Sequence, residues 1–385
     1  MKYLGFFLFF VITLSLPLSA TADVVTSTEL LQKYATAKSS GQKLKVLIVP
    51  GHDIEAWGTE FRGMKEFELN TVVANNLYRY FSNDSAFEVF LTQQNGDYTE
   101  TFKNYFINQR EAIRQFRDSH KSIQQAGREN GTIVGVTGVN HNYVNEDVSI
   151  KLHGINKWAN ENGIDLIIHI HFNDHGGRKW NKTGEYSGFS IYVPEPQLKN
   201  AALSKDIAQQ VSESLARFST FSNLPGEGSG VIEEQDLIAI GPFNTLGIPA
   251  MLIEYAYIYE PQLSSHALRE RVLDEYAYRT YFGVKEYFGD APVKNTSSQF
   301  PAYRFVKNLK KGMVASPEVL MLQSVLVRAG VYPVAGKDLR ECPVSGTFGS
   351  CTMEAVKAFQ KKKKLPQTGF VGPQTRKALA ALKLY

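Results

Sequence analysis

Lys45-Val46-Leu47-Ile48-Val49-Pro50-Gly51-His52 is a short apolar run that breaks at Pro-Gly and ends on a histidine. Gly63-Met64-Lys65-Glu66-Phe67-Glu68-Leu69-Asn70 follows, with a glutamate at the head of a helical pattern. Two later apolar runs end the same way, Leu166-Ile167-Ile168-His169-Ile170-His171 and Met251-Leu252-Ile253-Glu254. The near-continuous apolar character of Val46 to Val49 and Leu166 to Ile168 reads as central strands buried on both faces. Three such strands, each delivering a metal-capable or acid/base residue at its C-terminal end, predict one crevice, because open α/β sheets place their sites there.

Outward from these runs, strands and helices alternate. The pattern predicts strands over 44–49, 87–92, 165–171, 189–193 and 250–256, and helices over about 66–81, 148–162, 200–218 and 266–288. This alternation specifies an α/β fold, a mostly parallel sheet with helices on both faces. The region 96–147 departs from it. Tyr98 to Gln125 reads as one helix, with Phe102, Tyr105, Phe106, Ile113, Phe116 and Ile123 at helical spacing, and Gly131 to Asn145 reads as loop. An excursion of this length exceeds ordinary connections, so it is either functional or a peripheral flap.

The chain has 385 residues, too many for one ordinary core at ~150 residues per domain. It opens with Met1-Lys2-Tyr3, an apolar stretch from Leu4 to Leu18 and Ala20-Thr21-Ala22, which predicts a signal peptide over 1–22 and an exported protein in periplasm, cell wall or outside the cell. The alternative is an uncleaved membrane anchor. A polar lead-in over 23–43 precedes a catalytic domain over 44–289 that includes the 96–147 insert. Residues 290–311 begin Asp-Ala-Pro-Val-Lys-Asn-Thr-Ser-Ser and read as a linker, and 312–385 as a second, small all-α three-helix domain. That domain contains a repeat: Gly346-Thr-Phe-Gly-Ser-Cys-Thr-Met-Glu-Ala-Val recurs as Gly369-Phe-Val-Gly-Pro-Gln-Thr-Arg-Lys-Ala-Leu. The two cysteines, Cys342 and Cys351, are expected to form a short-loop disulfide rather than two free thiols, given the compartment. A net charge of +4 fits an anionic polymer as partner, without pointing to nucleic acid.

The chemistry of the first domain rests on four residues. His52 and His171 offer imidazoles and Glu66 a carboxylate, a donor set for one Zn²⁺ that leaves a fourth position for water. Glu254 ends a strand of the same sheet and is the candidate general base. His169 shares a strand face with His171 and is, with Asn173, a candidate for supporting the ligands; His175 is a rival ligand. His120, His141, His153 and His266 read as structural or exposed.

Val49-Pro50-Gly51-His52, Gly63 to Asn70, Asp165 to Asn173 and Pro249-Ala250-Met251-Leu252-Ile253-Glu254 together resemble the four motifs of the zinc-dependent N-acetylmuramoyl-L-alanine amidases. The resemblance implies zinc held by His52, Glu66 and His171, with Glu254 as catalytic glutamate. It also implies peptidoglycan as substrate, cut at the amide between the lactyl group of N-acetylmuramic acid and the L-alanine of the stem peptide. The repeat over 346–360 is similar to the peptidoglycan-binding three-helix domain of cell-wall hydrolases. His169 departs from the small hydroxylated residue usual at its position. The large insert is expected to lay its aromatic helix along the substrate groove, as a lid or as a docking site for an activator protein.

Three other readings use the same residues. A zinc peptidase cutting within stem peptides follows the same metal logic, a glycosidase could use Glu66 and Glu254 as paired carboxylates, and a wall-binding protein would lack catalysis altogether.

Overall fold

Residues 44–50 carry β-branched and apolar side chains on both faces and become the second strand of a six-stranded sheet. The computed structural model describes residues 25–136, 144–240, 247–290 and 305–382. The signal peptide expected over 1–22, His141 and residues 291–304 of the expected linker lie outside them.

The first half of the chain forms α1 (Ser27–Ser40), β1 (Leu44–Pro50), β2 (Glu60–Phe61), β3 (Met64–Lys65), α2 (Glu66–Ser82), β4 (Phe87–Leu91), β5 (Gln93–Gln94) and β6 (Asp97–Tyr98). Next come α3 (Glu100–Asn108), α4 (Arg110–Glu129), α5 (Glu146–Glu161), β7 (Leu166–Asn173), β8 (Ser190–Pro194), α6 (Ala201–Leu215), β9 (Val231–Glu234), β10 (Ala250–Tyr257) and α7 (His266–Tyr287). Three further helices, α8 (Pro317–Arg328), α9 (Ser350–Lys362) and α10 (Pro373–Ala380), make the C-terminal unit.

The main sheet runs in the order β4-β1-β7-β10-β8-β9. The first four strands are mutually parallel, and β8 joins β10 antiparallel. The fold is therefore α/β with a mostly parallel sheet, and each face has its own core. Val46, Ile48, Ile168, Ile170, Met251 and Ile253 pack on one side against α2, α6 and α7. Leu47, Val49, Ile167, Ala250 and Leu252 pack on the other against Phe102, Phe106 and Ile113 of the insert and Ile155 and Trp158 of α5.

That second core corrects two expectations about the insert. The single helix expected over Tyr98 to Gln125 is two helices, broken at Gln109. Part of its apolar stripe does not lie over a groove: Phe102, Phe106 and Ile113 are buried in the sheet's second core, where Gly154 of α5 provides the flat seat on which Phe106 rests, while Ile123 of α4 is 50% exposed. Burying large aromatic side chains there gains more than leaving them over a groove. Strand β9 was not anticipated, since Val231-Ile232-Glu233-Glu234 offers only two apolar residues.

In the C-terminal unit the repeat has a shared cause. Buried Gln323 of α8 accepts from Gly346 N and donates to Thr352 Oγ1, each at 2.9 Å. Gln360 of α9 does the same for the second copy, accepting from Gly369 N and donating to Thr375 Oγ1, each again at 2.9 Å. Gly346 and Gly369 take the left-handed φ (72° and 70°) that favours glycine. Cys342 and Cys351 are joined by a disulfide. Among the described residues no helix is long and apolar enough to cross a membrane.

Candidate metal centre

The site forms where β1, β7 and β10 end. Strand β1 breaks at Pro50-Gly51, and His52 takes a left-handed φ of 62°, with its ring centroid 5.1 Å from that of His171. Gly51 has no room for a side chain: an added Cβ would lie 2.1 Å from His171 Cε1. Gly58 is equally confined, with Glu66 Oε2 2.3 Å and His52 Cδ2 2.7 Å from such an atom. Glu66 opens α2, where its charge suits the helix dipole, and its N–H donates to Thr59 O.

The structure brings His52, Glu66 and His171 together. Glu66 Oε2 lies 3.2 Å from His52 Nε2 and Glu66 Oε1 lies 3.0 Å from His171 Nδ1. One donor atom from each residue can be chosen so that all lie within 4.8 Å of one another. A tetrahedral ion with bonds of about 2.0–2.1 Å holds its ligand atoms about 3.3 Å apart, so the cluster fits such an ion with small adjustments. The Glu66 side chain is only 5% exposed, whereas that of His52 is 34% exposed, which leaves an approach from solvent.

Burial by itself would raise the Glu66 carboxyl, but the charges of His52 and His171 and their hydrogen bonds outweigh it and hold the group well below the usual range. Burial pulls His171 down, while Glu66 lifts His52 against burial. Glu66 also receives the N–H of Thr59 at 3.1 Å and of Phe172 at 3.2 Å. Asn70, one helical turn on, donates to Gly51 O at 2.8 Å and so ties α2 to the His52 loop. A polar residue four positions after Glu66 on the same helix face is the signal that could have marked it.

Glu254 pairs across the sheet with His171 on one side and Ser190 on the other. Among the described residues its Oε2 is buried without a hydrogen-bond partner, and burial, reinforced by Glu66 and Glu227, raises its pKa well above the ordinary carboxylate value. Glu227 had no sequence signal, because it sits in Pro225-Gly226-Glu227-Gly228 with no apolar run beside it. It is 2% exposed and accepts from the hydroxyls of Tyr192, at 2.5 Å, and Tyr257, at 3.5 Å.

The remaining candidates lie outside the three-donor cluster. His169 pairs with Leu252 one step deeper on the face of His171; burial, with help from His171, lowers its pKa to about 3. The backbone carbonyl of Asn173 accepts from Ile258 N. His175 packs edge-on against Tyr186, with ring centroids 4.6 Å apart.

Asp53 fixes the loop after His52. It is buried, takes the N–H groups of Glu55 and Ala56, and pairs at 2.8 Å with Lys151 of α5.

The geometry accords with the comparisons to known proteins. The family described as N-acetylmuramoyl-L-alanine amidase matches residues 46–286, and a peptidoglycan binding domain family matches 315–379. A search of curated proteins returned no match. Similar solved structures include the N-acetylmuramoyl-L-alanine amidase from Clostridium difficile 630, at 18% identity over 64% of this chain and 97% of that one, with a TM-score of 0.40. Another is the amidase Ami1 from Mycobacterium smegmatis, at 15% identity over 64% and 97%, with a TM-score of 0.42. The family match alone spans well over half of the 385 residues, and the chain accordingly belongs to the N-acetylmuramoyl-L-alanine amidases, with a peptidoglycan-binding domain at its C-terminal end.

Proposed function

We propose that the chain is a zinc-dependent peptidoglycan amidase in which His52, Glu66 and His171 hold the metal and Glu254 moves the proton. The observation that carries this reading is the placement of Glu254 directly beside His171, with one carboxylate oxygen that has no hydrogen-bond partner among the described residues. When bound, zinc supplies Lewis acidity that polarises the scissile carbonyl and makes a water more acidic.

The residues of the chain do the rest. Ionised Glu254 takes a proton from the water that attacks the lactyl carbonyl carbon. The carbon–nitrogen bond then breaks, and Glu254 passes the proton to the departing nitrogen of L-alanine. The products are a lactyl carboxylate on the glycan and a stem peptide with a free amino terminus. The raised pKa of Glu254 brings it closer to the operating pH, which suits a group that must both accept and release a proton.

A glycosidase needs two carboxylates flanking the bond, and Glu66 is engaged by both histidines and two backbone N–H groups. The test is digestion of purified muropeptides with and without chelator, read by mass. Release of stem peptide with an L-alanine amino terminus, abolished by chelation and reduced at least about 100-fold by Glu254→Gln, is expected. Cuts inside the peptide would overturn the substrate assignment, and chelator-insensitive cleavage would overturn the zinc. The three-donor cluster, the signal peptide expected from the sequence over 1–22 and the C-terminal domain together support the reading of an exported enzyme working at the wall.

A further inference from the structure

The loops that follow His52 and His171 are fastened to each other. Thr59 Oγ1 donates to Asp174 Oδ2 at 2.5 Å, Arg178 donates to Glu60 O at 2.7 Å, and Arg62 N donates to Asn181 Oδ1 at 2.6 Å. Arg178 is further held by Asp174 and lies over the rings of Phe61 and Tyr259. These cross-links make a preorganised rim that is continuous with the metal centre at both ends.

Two indoles stand out from that rim. Trp57 is 42% exposed and Trp180 66% exposed, although burial of either ring elsewhere would be favourable. Trp57 sits immediately before Gly58, which touches Glu66 and His52, and its carbonyl caps Phe67 N at 3.2 Å. The Lys65 ammonium lies 4.1 Å from the Trp57 ring centroid, holding the ring by a cation–π contact while presenting a positive charge beside it.

We propose that Trp57 and Trp180 form a saccharide-binding subsite that receives sugar rings of the peptidoglycan glycan strand on either side of the reacting muramoyl unit. A pyranose ring has a flat apolar C–H face that packs on an indole, and a rigid aromatic platform binds it without losing much conformational freedom. Lys65 adds attraction for a neighbouring muramoyl sugar whose stem peptide has already been removed, because its lactyl group then carries a carboxylate. Binding energy from sugars remote from the scissile bond is then available to orient that bond over the metal centre. The proposal rests on peptidoglycan as the substrate, but not on the zinc or on hydrolysis.

The test uses tryptophan fluorescence of the full chain. The chain has three tryptophans, and the third, Trp158, is buried in the sheet core, so the C-terminal domain contributes none to the signal. Glycan strands freed of stem peptides are titrated in, and a saturable change in tryptophan emission is expected. Trp57→Ala and Trp180→Ala should each weaken the apparent affinity about three- to tenfold, and Trp57→Phe should recover part of the loss. Circular dichroism confirms that each variant remains folded. No saturable change in the unmodified chain, unaltered affinity in both alanine variants, or a response to free stem peptide alone would overturn the subsite. Because the probe contains no scissile amide, a failure of hydrolysis leaves this result standing and falls on the proposed reaction instead.

Discussion

The ammonium of Lys151 lies 2.8 Å from the carboxylate of Asp53, the residue directly after His52. Lys151 belongs to α5, whose neighbours α3 and α4 form the insert, so the pair joins that part of the fold to the loop that carries His52. His52 holds a left-handed φ that a side chain other than glycine adopts only under constraint. Lys151→Met should therefore lower metal affinity about tenfold, measured by competition with a chelator. Lys151→Arg should recover most of it.

Gly51 predicts a second loss through space alone. A methyl group at this position would displace the His171 ring, since the contact would be 2.1 Å. Gly51→Ala should reduce bound metal at least about tenfold at fixed free metal, while circular dichroism and the affinity of the C-terminal domain for wall material remain as they were.

Glu227 predicts the acid side of the activity profile. Its buried carboxylate adds to the rise in the Glu254 pKa, and Glu254 must be ionised to take the proton from water. Glu227→Gln removes that contribution, so the acid limb of kcat/KM should move to lower pH, by about half a unit to one unit. A limb that stays in place or moves upward would show that Glu227 does not act on Glu254.

His153 predicts a stability change unrelated to the site. Burial lowers its pKa from 6.5 to about 4, against a hydrogen bond to Ser149 O. On acidification the unfolded chain takes up this proton first. The contribution is therefore complete above pH 6.5, is lost as pH falls toward 4, and amounts to ~3 kcal/mol at most. Denaturant midpoints measured across this range should fall less steeply with acid in His153→Asn than in the unmodified chain.

Glu66 was legible because it heads a helical pattern, and the sheet, His52, His171 and Glu254 because each of their strands is an apolar run that stops at a polar residue. Val49 to His52, Ile168 to His171 and Ile253-Glu254 carry that pattern in one dimension. The break at Gln109, strand β9 and the destination of Phe102 and Phe106 were not, because a helical aromatic stripe does not specify which surface it covers. Asn70 and Glu227 have a further difficulty: their partners, Gly51 O and the hydroxyls of Tyr192 and Tyr257, come together only when the chain folds. The loop-to-loop bonds at Thr59, Arg178 and Asn181 are of the same kind.

Asp290, the last described residue before 291–304, accepts from Tyr34 at 2.6 Å and Lys38 at 2.8 Å and pairs with Lys285 at 2.9 Å. At the other end of α7, Leu268 packs against Gly346 of the C-terminal unit. Among the described residues, the chain thus leaves the catalytic domain beside α1 at the end of α7, and α7 also packs on α8 of the C-terminal unit. In mechanical terms, tension transmitted from a wall-bound C-terminal unit would enter through α7, a helix whose Val272, Tyr276 and Val284 are buried in the main core. Tyr276 of α7 packs on Phe172 and Tyr255, the residues that follow His171 and Glu254, so a pull on the C-terminal unit reaches the helix that backs the reacting strands.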